Sequence, residues 1–225
     1  MLNQVKEVLV DLQRKNIYIK SIYIWGSAST TEYINGKSDI DTIAIVYESA
    51  PILEESRLNK EIKEVIPNLK VRFIYQSELD GNPSKGNLSR FIKPELVIYD
   101  FPAWAYICGY KFTKADFMLG KVPIDRILKV AAQQIEERFL PKPSEKDYVY
   151  FAKAVAKYIY FINQKRMPFK PFLYNDLIKD SIGKELEISK IISELKASNW
   201  DIQLMRDNIP LMVSELSSVS THFVS

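Results

Sequence analysis

The 225 residues are enough for one large domain or two small ones, and a composition that is 47% hydrophobic and 26% charged excludes an intrinsically disordered chain. The 31 basic and 28 acidic side chains leave a net charge of only +3, far from that of a protein that coats nucleic acid. The single cysteine, Cys108, excludes an intramolecular disulfide and a cysteine-based zinc cluster, and the single histidine, His222, argues against histidine-based catalysis.

The first part of the chain alternates between helical and strand-like patterns. Periodic apolar residues indicate helices, whereas short β-branched and aromatic runs that end at glycine, asparagine or proline indicate strands. The predicted elements, in chain order, are a helix over 2–15, a strand over 17–25, a short helix or turn over 29–33, a turn over 35–38, a strand over 39–47, a helix over 53–66, a strand over 69–75 and a loop over 81–87.

From about residue 103 the pattern becomes helical, and prolines separate the segments. The predicted helical segments are 103–119, 124–140, 145–165, 171–179, 184–197 and 200–218. We place the change of pattern near 90–102, which gives one domain over residues 1–95 and a second, all-α domain over residues 96–225. The predicted fold class is therefore α+β, with an N-terminal mixed sheet flanked by helices and a helical C-terminal domain.

One group of residues in the first domain is typical of a site that binds phosphate and metal. Gly26 ends a strand and allows a tight turn, and Ser27 offers a hydroxyl and backbone N–H groups that can hold phosphate oxygens. Ser38 precedes Asp39 and Asp41, which lie two residues apart on the next strand, about 6.6 Å along it, and so share one face. Paired carboxylates suit Mg²⁺ or Mn²⁺ bound together with the phosphates of a nucleotide. Solvated aspartates that cap a turn are the alternative interpretation.

The stretch IYIWGSASTTEYINGKSDIDTIAIV resembles the nucleotidyltransferase superfamily that includes DNA polymerase beta, the aminoglycoside nucleotidyltransferases and the minimal nucleotidyltransferases. The resemblance covers roughly residues 1–80, and the helical second half is similar to the aminoglycoside-modifying branch in outline only. It implies that Asp39 and Asp41 hold metal, that Gly26, Ser27 and Ser38 bind nucleotide, and that a nucleoside triphosphate is the substrate.

Two departures from the family pattern stand out. Many relatives have an Arg-Gly pair in the spacer, where this chain has Thr30-Thr31. The family also places a third carboxylate on the next strand, but the matching strand offers only Lys70 or Arg72. Glu78 and Asp80 are the nearest acids, so either one of them reaches back or the third carboxylate is missing. If the fold matches the family, Lys70 or Arg72 projects towards the aspartates.

The resulting hypothesis is a Mg²⁺-dependent nucleotidyltransferase that moves a nucleoside monophosphate from a nucleoside triphosphate to an acceptor hydroxyl. The acceptor is a small molecule, a protein or a nucleic-acid end, and the oligomeric state is left open. The alternatives are a catalytically impaired nucleotide-binding or interaction module, and the nucleotidyltransferase half of a toxin–antitoxin pair. Without an apolar run of signal or membrane-spanning length, we expect a cytoplasmic protein with no membrane partner.

Overall fold

The computed structural model describes residues 2–33, 38–51, 55–82, 93–138, 145–165, 167–177, 179 and 187–223. The chain divides into two compact units, Met1–Val122 and Pro123–Ser225. The first unit contains a mixed sheet with helices around it, and the described part of the second unit contains helices and a short turn. The predicted α+β class with a helical C-terminal part is therefore confirmed.

The first unit contains four strands and four α-helices in its described residues. Most were predicted, because apolar periodicity marks α1 and α2 and β-branched residues fill β1 to β3. In chain order they are α1 (Leu2–Lys15), β1 (Ile19–Ile24), β2 (Ile40–Val46), α2 (Glu55–Val65), β3 (Leu69–Tyr75), α3 (Gln76–Leu79), α4 (Pro94–Tyr99) and β4 (Ala105–Gly109).

The strands form one sheet in the order β3-β2-β1-β4. β1 runs antiparallel to both of its neighbours, whereas β2 and β3 are parallel. In the β2–β3 register Asp41 lies opposite Lys70, and Ile43 lies opposite Arg72. The register therefore brings the second aspartate of the predicted site beside the first of the two predicted cations.

The two faces of the sheet are covered by different apolar clusters. One face carries Ile40, Ala44, Val71 and Phe73 and packs against apolar side chains of α1 and α2. The opposite face carries Tyr23, Ile43 and Ile74 and packs against residues that follow β3, among them Phe101 and Trp104. Because alternate residues of a strand share a face, Asp41 lies with Ile43, and Lys70 lies with Ile74, on this second face.

A side chain of α2 fixes this helix beside β3. The Asn59 carboxamide donates a hydrogen bond through Nδ2 to the Val71 carbonyl oxygen, and its Oδ1 accepts one from the Val71 N–H, each at 2.8 Å. These two bonds set the position of α2 against the middle of β3.

The prediction of a helix over 103–119 is wrong, because Ala105–Gly109 forms β4 and pairs with β1. Gly109 has a φ of +88°, and a Cβ there would lie 2.3 Å from the Lys20 carbonyl oxygen, so the close approach of β4 to β1 requires glycine. Since β4 is part of the sheet, the predicted division after residue 95 lies inside the first unit, which extends to Val122.

The helices of the second unit lie close to their predicted positions. They are α5 (Ile124–Arg138), α6 (Glu145–Gln164), α7 (Glu187–Ala197) and α8 (Ile202–Phe223). The prediction of a helix over 171–179 is wrong: its described residues contain one 3₁₀ turn at Tyr174–Asp176. Ring contacts hold this segment instead, since Phe172 meets Tyr160 and Tyr174 at centroid distances of 5.3 and 4.7 Å.

An apolar stripe of α6 belongs to the core of this unit. Its buried members are Phe151, Val155, Tyr158, Ile159 and Ile162. Near the end of α6 the Lys165 ammonium forms an ion pair of 2.8 Å with Asp125 of α5. Across the described parts of the chain, each helix is too short or too polar to cross a bilayer.

Candidate active site

The turn after β1 is built by glycine and by short hydroxyl side chains. Gly26 has a φ of +66° and opens a 3₁₀ turn over Gly26–Ser29. The Ser29 hydroxyl donates to the Gly26 carbonyl oxygen at 2.9 Å, and the Thr30 hydroxyl donates to the Ser27 carbonyl oxygen at 3.0 Å. Thr30 also accepts a hydrogen bond of 3.3 Å from the Glu32 N–H. Thr30 therefore closes the turn between Gly26 and the aspartates.

The Asp41 carboxylate lies beside this turn. The Trp25 N–H donates to the Asp41 carbonyl oxygen at 3.0 Å, which joins the end of β1 to the start of β2. A Cβ on Gly26 would lie 3.9 Å from Asp41 Oδ2. The predicted phosphate-binding turn and one predicted metal ligand, separated by fifteen positions in the chain, are therefore neighbours in space.

Asp39 lies at the start of β2 and contacts a cation of β3. Its Oδ2 forms an ion pair and a hydrogen bond with the Lys70 ammonium. Lys70 thus reaches Asp39, and Arg72 lies two residues farther along β3, opposite Ile43. Three adjacent strands therefore bring together the Gly26 turn, the two aspartates and the Lys70 ammonium.

Solvent weakens the ion pair between Lys70 and Asp39. The Lys70 and Asp39 side chains are 42% and 50% exposed. Ion pairs at this level of exposure contribute roughly 0–1 kcal/mol to stability. A divalent cation that arrives with a triphosphate can therefore compete with Lys70 for Asp39, although the ammonium still adds positive charge beside it.

Neither of the two nearest acids after β3 replaces the third carboxylate. Buried Glu78 accepts a hydrogen bond of 2.8 Å from the Tyr75 N–H, and Asp80 accepts one of 2.8 Å from the Met118 N–H. Both follow the end of β3, which is five strand residues, or about 17 Å, beyond Lys70. Each carboxylate has a structural role at the end of the strand opposite Asp39.

The donor set fits one divalent cation better than two. Asp39 and Asp41 supply hard carboxylate oxygens on one face of the sheet, and Ser38 directly precedes them. Within the described ranges, no group of three or more acidic, histidine or cysteine side chains converges. Lys70 occupies the strand position opposite Asp41. A cation held by both aspartates and by nucleotide phosphates suits this arrangement, whereas Lys70 repels a second one.

Two tryptophans form an aromatic wall beside the turn. Trp25 and Trp104 meet edge to face at a centroid distance of 6.3 Å, and Tyr23 contacts Trp104 at 5.9 Å. In the described part of the molecule, neither buried indole N–H finds a hydrogen-bond acceptor. The sequence analysis did not identify Trp104 as part of the site, because this residue lies within the helix that was predicted over 103–119. The clustering of Phe101 and Trp104 was the available signal.

Gly26 gives a direct test of the turn. We expect Gly26→Ala to lower the free energy of unfolding by about 1–2 kcal/mol, because a φ of +66° places an L-residue in the left-handed region. Gly26→Asn is the matched control. Its free energy of unfolding should fall less than that of Gly26→Ala, since asparagine tolerates this conformation. Urea unfolding measures both. Equal stability of Gly26→Ala and the parent protein would show that the turn does not require this backbone conformation.

Comparison with known proteins supports the fold independently. No protein-family model and no curated protein gives a significant match to the sequence. Among solved structures, the spectinomycin adenyltransferase AAD(9) from Enterococcus faecialis, crystallised with ATP and spectinomycin, matches with a TM-score of 0.60. The match has 15% sequence identity and covers 95% of this chain and 98% of that chain. The chain therefore has the nucleotidyltransferase-type fold that its sequence pattern resembles.

Proposed function

We propose that the protein binds a nucleoside triphosphate with Mg²⁺ or Mn²⁺ and transfers the nucleoside monophosphate to a hydroxyl group of a small molecule. The observation that carries this proposal is the Asp41 carboxylate beside the Gly26 turn, since a phosphate held there would lie next to a metal ligand. The similar structure contains ATP and spectinomycin, which supports a nucleotide donor and a small acceptor with hydroxyl groups.

Each site residue has a defined task under this proposal. The backbone at Gly26 and the Ser27 hydroxyl hold phosphate oxygens, with Ser38 close to the same phosphates. Asp39 and Asp41 hold the divalent cation, which supplies charge neutralisation at the triphosphate. The acceptor oxygen forms a bond to the α-phosphorus while the bond from that phosphorus to pyrophosphate breaks.

Removal of the proton from the acceptor hydroxyl is the step that these residues support least. The Lys70 ammonium has three N–H donors and no lone pair, so it cannot take that proton. Its charge also disfavours a second metal ion that would lower the pKa of the acceptor hydroxyl. We therefore infer slow transfer by the chain alone, or faster transfer when the acceptor or a partner supplies the base.

This feature favours a second candidate function, a nucleotide-binding module that does not transfer. The contact between Lys70 and Asp39 is the specific observation in its favour. Such a module would bind nucleotide with one metal ion and act through a partner protein. A toxin–antitoxin pair is one example of such an arrangement. The two candidates share the nucleotide site and differ only in turnover.

A transfer assay separates the two candidates. The purified protein is incubated with each nucleoside triphosphate, Mg²⁺ or Mn²⁺, and a panel of aminocyclitols and other polyhydroxyl compounds. We expect pyrophosphate release together with an acceptor whose mass has risen by one nucleoside monophosphate, and we expect neither product from Asp39→Asn/Asp41→Asn. Nucleotide binding without any modified acceptor, even after addition of cell extract, would support the binding module instead.

A further inference from the structure

β4 is an outer strand of the sheet and its least buried one. In the described part of the first unit it pairs with β1 alone, so the sheet ends at its other side. None of its residues is buried, whereas β1, β2 and β3 are largely buried. An edge strand directs alternate backbone N–H and C=O groups away from its neighbour, where a further strand can pair with them.

β4 lacks two common protections of an exposed edge. Such strands often carry charged side chains or proline, which hinder pairing with another chain, but Ala105–Gly109 has neither. Two tyrosines lie on the strand or next to it, and Tyr106 is 39% and Tyr110 56% exposed. The Tyr106 hydroxyl donates to the Gly109 carbonyl oxygen at 2.8 Å, and the N–H of an incoming peptide can replace this exposed donor.

Positive charge surrounds this edge. α1 packs beside Cys108 of β4. Burial raises the pKa of the Cys108 thiol, whereas the charges of Arg14 and Lys6 lower it, so both cations of α1 lie close enough to act on β4. The Lys111 ammonium, just after the strand, lies 5.7 Å from the centre of the Tyr106 ring.

These charges indicate which kind of partner fits. Among the described residues, Lys6, Arg14 and Lys111 have no carboxylate partner, unlike Lys15, which forms an ion pair of 2.6 Å with Asp11. A second copy of the chain would bring the same cations to the same edge and be repelled. A segment with negative side chains is attracted instead, because complementary charge selects partners.

We propose that the β4 edge binds an extended acidic peptide of a partner protein, which adds to the sheet as a fifth strand. Main-chain hydrogen bonds supply affinity, and side chains that alternate between the two faces supply selectivity. Acidic side chains on the face of α1 lie near Lys6 and Arg14, and apolar ones lie on the face of Tyr106, which packs against Tyr23. The site does not depend on nucleotide transfer by the protein.

A short labelled peptide of alternating glutamate and valine is the probe. Fluorescence anisotropy at low salt is expected to show saturable binding to the parent protein, weakened about 10-fold in Lys6→Gln/Arg14→Gln. Lys60→Gln/Lys63→Gln on α2 is the matched control, because it removes the same charge from exposed positions away from β4. This control should bind the peptide as tightly as the parent protein.

Two N-methylated forms of the peptide test strand addition itself. One form is methylated at the glutamates and the other at the valines, so each lacks N–H groups along one side of the extended chain. An added strand uses only one of its sides to pair with β4. We therefore expect one form to bind like the unmodified peptide and the other to lose binding.

Several results would overturn the proposal. If the parent protein does not bind the peptide, or if the α1 and α2 variants lose equal affinity, the β4 edge is not its site. Equal binding of both methylated forms would exclude strand addition. Equally tight binding of a peptide of alternating lysine and valine would exclude selection by charge. If the protein forms a dimer that Tyr106→Lys dissociates, the edge joins two copies of the chain instead.

Discussion

Replacement of Asp39 and Asp41 together by asparagine is expected to abolish the metal-dependent stabilisation of the protein by nucleotide. Both aspartates lie on one face of the sheet, and Asp41 adjoins the Gly26 turn, so the pair supplies the carboxylate oxygens for a cation shared with the triphosphate. Asparagine keeps the shape of each side chain but removes its charge, so the fold should persist.

The expected effect is large enough for a melting experiment. A ligand that binds only the folded state at 100 times its Kd stabilises it by about 2.7 kcal/mol, which corresponds to a rise in Tm of roughly 5–10 °C for a protein of this size. The parent protein should show this rise with nucleoside triphosphate and Mg²⁺, and a much smaller one with EDTA. The double variant should give the same small rise under both conditions.

Glu7→Gln/Asp11→Asn provides the matched control. Both acids lie on α1 with exposed side chains, so the control has the same change in net charge away from the sheet. It should keep the full nucleotide-induced rise in Tm. If the metal-dependent rise in Tm is the same in the parent protein and in Asp39→Asn/Asp41→Asn, these aspartates are not the metal ligands.

Substitution of Lys70 by glutamate is expected to strengthen metal binding and to raise the rate of transfer. It removes a cation that contacts Asp39 and adds a carboxylate at the strand position opposite Asp41. In water, two unit charges 4 Å apart interact by about 1 kcal/mol, so a change of two charges beside a divalent ion amounts to a few kcal/mol before screening. We expect Mn²⁺ to bind roughly 10- to 100-fold more tightly in the presence of nucleotide.

Calorimetric titration or paramagnetic relaxation measures this affinity. Arg72→Glu is the control, because it makes the same charge change two residues farther along the same face of β3. Lys70→Gln removes the cation without adding an acid, so its affinity for Mn²⁺ should lie between that of the parent protein and that of Lys70→Glu. Our account of β3 is wrong if Arg72→Glu strengthens Mn²⁺ binding as much as Lys70→Glu, or if the parent protein already binds two metal ions tightly.

The central part of the first unit could be predicted from local patterns. The strand that ends at Gly26 and the strand that follows Asp39 each have an unbroken β-rich run, and the period of two residues places Asp39 and Asp41 on one face. The same alternation puts Lys70, Arg72 and Ile74 together. These assignments depend on residues close in sequence, so no knowledge of the tertiary structure was needed.

Features that depend on long-range pairing could not be read from the sequence. Alternation does not show which residue of β3 lies opposite Asp41, because only the register of β3 against β2 places Lys70 there. The distance of Glu78 from Asp39 likewise follows from the parallel direction of these two strands. β4 was missed because its five residues lie among apolar and aromatic residues that are also compatible with a helix.

The pair of hydrogen bonds between Asn59 and Val71 also determines which partners the sheet can accept. β3 is an edge strand, and such strands offer free peptide groups to which a strand of another molecule can add. At the middle of β3 the Asn59 carboxamide already fills that role, since it presents one donor and one acceptor as a neighbouring peptide group would. Extension of the sheet across this edge by a partner strand would have to displace Asn59, so the edge is closed to strand addition at Val71.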